Sequence, residues 1–508
     1  MINPSDFIAA LVADFYKTGH LTMIPDDVSE IYLNMTARSM RLQPHADGFD
    51  DSILLVGTQR MLDDLHMLWQ TGFFLKSKSE VLRRIRRRLV KSMPTNVDVQ
   101  RIVSKFGELH DIGFLPIVVK SLDEGTRVPV KVPFMTMKAT DSRFVFLPSF
   151  LETIMSCESW KTIVNATTAF EFRRVLSKNA LETTGSDAGV VFQGHDFSMR
   201  GMSGFVDATN TGIGHLSCFR GTDTMPAIDA VESHYDPDED TFIGGSVPAT
   251  EHMVMCINGK DGEEQTFRRL ITELFPTGII SIVSDTWDFF GVVTDMILKL
   301  KPEIMARKAD RSGFAKVVLR PDSGDPVKII CGDPQAPVGS PEHKGTVECL
   351  WDIFGGTVTP QGFRVLDPHI GVIYGDSITL QRMLMILKGL RQKGFATTNV
   401  IFGIGSFTYQ FVTRDNGSIA VKATLAIRDG REVNLLKDPK TDGGTKKSAT
   451  GFLRVDLVDG RYVLTQNATL EQEAGGELRV RYENGQFHNR IRWEQLTDNV
   501  EAELLKFM

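Results

Sequence analysis

The sequence lacks the marks of an oxidising compartment, a membrane or a nucleic-acid partner. Its five cysteines, Cys157, Cys218, Cys256, Cys331 and Cys349, are odd in number and form no CxxC pair, which argues against a disulfide framework and a zinc site. No run approaches the ~18 apolar residues of a membrane span. The opening residues Met1-Ile2-Asn3-Pro4-Ser5-Asp6 carry neither a basic nor a continuous apolar segment, so no secretory signal is expected. At a net charge of −7 the chain has no general basic surface for phosphate backbones, and nucleic acid is not an expected partner. The local exception, Arg83-Arg84-Ile85-Arg86-Arg87-Arg88, reads as the solvated face of a helix whose other face carries Val81, Leu82, Ile85 and Leu89, with Ser77 and Glu80 forming a capping box. The GxxxxGK[ST] phosphate loop is missing, as are internal repeats and low-complexity linkers. The expectation is a cytoplasmic protein with reduced thiols and, at 508 residues, two or three domains.

What the chain does contain changes pattern twice. Residues 1–150 mix helices and short strands and read as an N-terminal α+β domain. An opening helix over residues 5–16 carries Phe7, Ile8, Leu11, Val12 and Phe15 and is stopped by Lys17-Thr18-Gly19-His20; a second is expected over 51–70, and a strand over 116–120. In residues 151–413, short apolar runs end in polar clusters and lead into helical stretches. They are 190–192 before His195-Asp196-Phe197, 279–283 before Ser284-Asp285, 317–319 before Arg320-Pro321-Asp322, 370–373 before Gly375-Asp376, and 400–402 before Gly403-Ile404-Gly405-Ser406. Parallel strands closed into a barrel bring all such ends to one face; an open parallel sheet is the alternative. In the tail, residues 414–508, Asp429-Gly430, Asp459-Gly460 and Asn484-Gly485 predict three hairpins. The expected fold is α/β: a parallel (β/α) barrel-like core plus a second α+β domain built from both chain ends, the β-rich tail completing the N-terminal part.

The chemistry-bearing residues cluster at those strand ends and the loops between them. They comprise His252, four aspartates (Asp223, Asp285, Asp322, Asp376) and two arginines (Arg200, Arg320) among Gly/Ser turns. The planar fork of arginine suits phosphate and glycine turns expose backbone N–H groups to it, so a phosphorylated sugar is the natural ligand. Aspartates beside it can bind ribose hydroxyls or hold Mg²⁺ through its waters. No residue is assigned as a direct metal ligand. Taken alone, a histidine is more often a hydrogen-bonded structural residue, and a Gly-x-Gly a tight turn.

The ordered motifs carry more weight than any one residue. His195-Asp196-Phe197-x-x-Arg200-Gly201, Gly221-Thr222-Asp223-Thr224, Ser246-Val247-Pro248-Ala249-x-Glu251-His252, Val283-Ser284-Asp285-x-x-Asp288, Arg320-Pro321-Asp322-Ser323-Gly324-x-Pro326, Gly375-Asp376 and Thr413-Arg414-Asp415 resemble, in that order, the nicotinamide phosphoribosyltransferases, a branch of the type II phosphoribosyltransferases. The resemblance runs from Asp14-x-Tyr16-Lys17 to Lys437-Asp438-Pro439. It implies transfer of a phosphoribosyl group from phosphoribosyl pyrophosphate to nicotinamide, with Mg²⁺, and with ATP as co-substrate phosphorylating His252.

Further roles follow from the resemblance. Asp285 would orient His252, with Glu251 as the alternative, and Asp322 would complete the catalytic set. Phe197 and Tyr16 would sandwich the pyridine, Tyr16 coming from the second subunit of a homodimer with shared active sites. Asp223 would accept from the carboxamide and repel nicotinate. Arg200, Arg320, Asp322, Gly375 and Asp376 would surround ribose and pyrophosphate, with Gly405 and Ser406 in the phosphate turn and Arg38, Arg414 and Lys422 reaching in across the interface. The chain departs from the family at Phe407, which follows a turn with fewer glycines and could narrow the phosphate approach, at Ala420, where the family has a serine, and in the Lys-rich stretch after Pro439. A nicotinate enzyme and a noncatalytic binding or signalling protein are the alternatives; an aldolase-type barrel would want a lysine at a strand end, and Lys120 lies outside the barrel segment.

Overall fold

The computed structural model describes residues 6–93, 97–436 and 448–508. Six short parallel strands form one sheet: Gly194–Asp196 (β1), Gly221–Thr222 (β2), Ile280–Val283 (β3), Val317–Arg320 (β4), Ile370–Tyr374 (β5) and Val400–Ile404 (β6), in the order β2-β1-β6-β5-β4-β3. Strands β3 and β5 are buried along their whole length, as expected where helices cover a parallel sheet, and this is why they read as continuous apolar runs. The two edges are joined by residues 244–250. Gly245 bridges Gly221 and Ala249 bridges Ser281, both parallel, through bonds such as Thr222 N–H to Gly245 O (2.9 Å) and Thr250 N–H to Ser281 O (3.0 Å). This irregular segment curls the sheet into a ring and delivers His252 to its rim.

The second sheet is antiparallel and draws strands from both chain ends, in the order Arg431–Asn434, Ala420–Arg428, Val28–Thr36, Pro133–Ala139, Ile117–Ser121, Arg479–Glu483, Gln486–Phe487. All three predicted hairpins form, with both turn residues at positive φ: Asp429 47° and Gly430 71°, Asp459 49° and Gly460 77°, Asn484 49° and Gly485 83°, the signature of a type I′ turn. Helix Leu147–Thr184 ties the sheets together. Leu151, Met155 and Val164 belong to the core under the antiparallel sheet, Ala169, Phe172 and Leu176 to that of the barrel.

Three expected elements differ. Residues 6–16 do not form one helix: a 3-10 turn at Ala9–Leu11 buries Ala9 and Ala10, Asp14 is extended, and the helix starts at Phe15 and runs to Met23. Lys17-Thr18-Gly19-His20 therefore lie inside the helix, where Lys17 pairs with Glu152. The expected helix over 51–70 is a strand, Ser52–Leu54, then helix Thr58–Trp69. Gly57 separates them at φ 94°, pressed so closely on the long helix that a Cβ would lie 2.7 Å from Thr162 Cγ2. Residues 190–192 make a 3-10 turn, and the strand begins at Gly194. The basic helix forms at Lys78–Ser92, with Ser77 accepting from the Glu80 N–H and Val81, Ile85 and Leu89 buried.

Candidate active site

The C-terminal ends of the parallel strands converge on His252, the first residue of helix His252–Cys256. Its Nε2 lies 3.2 Å from Asp322 Oδ1, just beyond β4, and 3.9 Å from Asp285 Oδ1, just beyond β3; its Nδ1 lies 3.2 Å from Thr286 Oγ1. The hydrogen bond expected from Asp285 is thus made by Asp322. Asp285 supports from behind: Oδ2 accepts from the backbone N–H of Asp322 (3.0 Å) and Ser323 (2.9 Å) and from the Ser323 hydroxyl (2.6 Å), while its buried Oδ1 has no hydrogen bond. Burial alone would raise the Asp285 carboxyl, but the Ser323 hydroxyl, those N–H groups and the nearby His252 hold it below its ordinary value. Burial and then the Asp285 charge push Asp322 up, with His252 opposing. The two carboxyls titrate as a pair whose members are driven apart. One ligand atom each from His252, Asp285 and Asp322 falls within 4.8 Å of the others, a grouping that sequence spacing did not reveal. Glu251 is exposed and makes no capping bond with its side chain.

Beside this trio stand the polar groups that end β1 and β2. Asp196, fully buried, accepts from Ser198 N–H (2.9 Å), Thr222 Oγ1 (3.3 Å) and Thr224 Oγ1 (2.7 Å), and its carbonyl accepts from the Asp223 N–H (2.9 Å). That network fixes the turn on which Asp223 stands. The Asp223 carboxylate meets His195 Nε2 at 3.3 Å. Burial would raise it, but the His195 and Ser246 hydrogen bonds and the His195 and Arg320 charges hold it below the ordinary carboxylate range. Phe197 lies over Gly403, where a Cβ would stand 2.6 Å from its ring, with its centroid 4.6 Å from that of His195. The half-buried Phe197 ring and the Asp223 carboxylate thus share His195 as a neighbour, an aromatic face and an acceptor that can take a small aromatic amide.

Arg320 and Arg200 bound the other side. Arg320 donates through Nη2 to the Thr250 carbonyl, and its buried Nε has no partner. Burial pulls its guanidinium below the ordinary value and the Arg200 charge adds to this, against Asp322, Asp223 and Asp285. Two guanidinium groups this near each other form a ready seat for an anion. Gly375 packs on Asp322 and Arg320, since a Cβ there would lie 3.5 and 3.6 Å from them, and exposed Asp376 follows it. The Tyr374 hydroxyl donates to the Ser323 and Gly324 carbonyls (3.1 and 3.0 Å) and so holds the Asp322 loop. Gly405 faces open space; Ser406 touches Gly201, whose Cβ would overlap its hydroxyl. Phe407 turns to Phe411, centroids 5.3 Å apart, beneath Arg382, away from Gly405. Asp288 caps its own helix through the Gly291 N–H.

Four residues belong to other elements. Tyr16 is exposed on helix Phe15–Met23. Arg38 donates Nε–H to Ser418 O (3.1 Å), Arg414 begins the 3-10 turn Arg414–Asn416, and Lys422 stands opposite Asn34 in the antiparallel sheet. Lys437-Asp438-Pro439 and the stretch after them fall outside the described residues. Sequence reasoning singled out neither Thr286, Ser323 nor Tyr374 as site residues. Thr286 and Ser323 were legible only as neighbours of the strand-end aspartates; nothing marked Tyr374.

Comparisons with known proteins follow the same lines. Residues 192–486 match the family described as nicotinate phosphoribosyltransferase (NAPRTase). The chain is 46% identical over 510 residues to a nicotinamide phosphoribosyltransferase of Acinetobacter baylyi, covering 100% of this chain and 98% of that one. It is 30% identical over 453 residues to one of Mycoplasma pneumoniae, covering 87% and 94%. Two solved structures share the fold at 14% identity: a nicotinate-nucleotide pyrophosphorylase from Pyrococcus furiosus (TM-score 0.55, covering 100% and 98%) and human nicotinic acid phosphoribosyltransferase (TM-score 0.52, covering 98% and 94%). Among the described residues no helix is long and apolar enough to cross a membrane.

Proposed function

The chain belongs to the nicotinate phosphoribosyltransferase family, and from that premise we propose that it joins nicotinamide to the phosphoribosyl group of phosphoribosyl pyrophosphate, releasing pyrophosphate, in NAD synthesis. The observation that carries the choice of base is the ionised Asp223 carboxylate beside Phe197. It accepts from an amide NH₂, whereas a nicotinate carboxylate at the same place meets a like charge. The name of relatives as similar as 46% supports the same base.

The reaction breaks the bond between ribose C1 and the pyrophosphate oxygen and forms one from C1 to the pyridine nitrogen. Phe197, with Tyr16 of a second subunit in a homodimer, would hold the ring in plane for that attack. Arg200 and Arg320 would draw the negative charge of the leaving pyrophosphate. Mg²⁺ suits the donors present: Asp285 Oδ1, buried without a hydrogen bond, and Asp322 Oδ1 can hold it together with substrate phosphates, and it would offset charge on the leaving group. ATP would phosphorylate His252, whose Nε2 edge faces two carboxylates that support the positive charge developing on the ring. Arg38, Arg414 and Lys422 would serve the phosphates of a partner's site. The reaction would take place in the cytoplasm.

The test is pyrophosphate release from phosphoribosyl pyrophosphate and Mg²⁺ with nicotinamide or nicotinate, for wild type and Asp223→Ser. Wild type should use nicotinamide, and Asp223→Ser should lose much of that preference. Turnover on nicotinate alone would sink the reading.

A further inference from the structure

We infer that His195 is a positioning residue that sets base specificity: its imidazole holds the Asp223 carboxylate in the attitude that receives a carboxamide. The inference rests on the nicotinamide reading above and extends it to a residue given no role there. His195 stands at the middle of β1, paired with Gly221 of β2 on one side and Gly403 of β6 on the other. Both partners are glycine at positions of close approach. A Cβ on Gly221 would lie 2.7 Å from His195 Nδ1, and one on Gly403 would meet the Phe197 ring. The imidazole therefore lies against bare backbone on its Nδ1 edge, and its Nε2 edge reaches Asp223 Oδ1 at 3.3 Å.

An ionised carboxylate only accepts, so the proton between them belongs to Nε2, which donates. The histidine side chain is 12% exposed and the aspartate 43%: the inner group is fixed and the outer one opens to solvent. The backbone of Asp223 is already tied, its N–H to Asp196 O at 2.9 Å, which leaves side-chain rotation as its main freedom. His195 restrains that rotation from the strand side. The same imidazole packs on Phe197 with centroids 4.6 Å apart, so one side chain registers the ring that faces the base against the carboxylate that reads its substituent. Without it the carboxamide loses an aligned acceptor, and a nicotinate carboxylate gains nothing.

The experiment measures kcat and KM for nicotinamide, nicotinate and phosphoribosyl pyrophosphate in wild type, His195→Ala and His195→Gln. His195→Ala should raise KM for nicotinamide roughly tenfold, the scale of one aligned charge-assisted hydrogen bond, and lower the preference over nicotinate by a similar factor, with KM for phosphoribosyl pyrophosphate unchanged. His195→Gln, which keeps an N–H donor, should recover most of the preference. If His195→Ala does not fold, His195→Leu takes its place. Equal rises in the KM of base and phosphoribosyl donor mean a merely structural role and overturn the inference, as does an unchanged preference. A wild type without nicotinamide turnover removes the substrate reading, and this inference with it.

Discussion

Glu124, at the junction of helix Thr58–Trp69 with the barrel, is 2% exposed, and Asp285, at the barrel rim, is half-buried as a residue but has a side chain only 3% exposed, so both carboxylates are largely shut off from water. Glu124 accepts from Gly57 N–H (2.6 Å) and Tyr235 OH (2.8 Å) on one oxygen, and from Thr58 Oγ1 (2.7 Å) and Gln59 N–H (2.5 Å) on the other. Asp285 takes three donors on Oδ2 and leaves Oδ1 bare beside His252. Burial costs both, and hydrogen bonds offset the cost fully only at Glu124. The first holds layers together; the second keeps a charged oxygen ready for something that arrives.

The largest expected effects come from neutralising each carboxylate in turn. Asp285→Asn should lower kcat by about 100-fold or more, with a smaller loss of stability because the amide oxygen can still take the Oδ2 donors. Glu124→Gln turns an NH₂ toward donors and should cost about 2–3 kcal/mol of stability, with turnover per folded molecule unchanged. Urea unfolding and steady-state rates on both variants decide it; a stability loss at Asp285 as large as at Glu124, with activity intact, would erase the contrast.

A smaller effect is expected in the acid limb of stability. Near Glu124, burial would raise the Asp63 carboxyl, but hydrogen bonds and charge from Arg490 and His234 leave it below its ordinary value. A carboxyl lowered on folding adds stability that is present above the unfolded value near pH 4 and is lost as pH falls through the folded value. Asp63→Asn should therefore flatten the fall in stability below about pH 4 and cost no more than about 1 kcal/mol at neutral pH after solvent screening. Urea midpoints across pH 2.5–7, roughly spanning that range, read this out; an unaltered acid limb would remove Asp63 from the account.

The smallest effect concerns Phe407. Because its ring packs on Phe411 and under Arg382 rather than over Gly405, Phe407→Ala should change KM for phosphoribosyl pyrophosphate by less than about threefold, below what one lost hydrogen bond gives. A larger drop would mean that the ring does obstruct the phosphate approach.

The same contrast explains what was legible in the sequence. The hairpins at Asp429-Gly430, Asp459-Gly460 and Asn484-Gly485 were readable because the conformation those turns need is written in two adjacent residues. Four barrel strands, β3 to β6, were readable because burial on both faces leaves continuous apolar runs; β1 and β2, short and ending in polar residues, carry no such run. The closing segment 244–250 was not, since its isolated bridges impose no apolar pattern, and Gly57 broke an otherwise plausible helix through a tertiary contact. At the site, sequence spacing assembled the aspartates and His252 but not their pairing. Which carboxylate meets Nε2 depends on how the loop after β4 is tied down by Asp285 and Tyr374, and no local rule carries that. Tyr16, Arg38, Arg414 and Lys422 came only from the family resemblance.

The claim that most needs a direct test is that the bare carboxylate edge at the rim serves a reacting His252. Incubating the protein with γ-labelled ATP and Mg²⁺ and following acid-labile, base-stable label answers it in wild type, His252→Ala and Asp285→Asn. The account predicts label on wild type, none on His252→Ala and a strongly reduced amount on Asp285→Asn. Label persisting at full level in His252→Ala, or reaching wild-type level in Asp285→Asn, would contradict it.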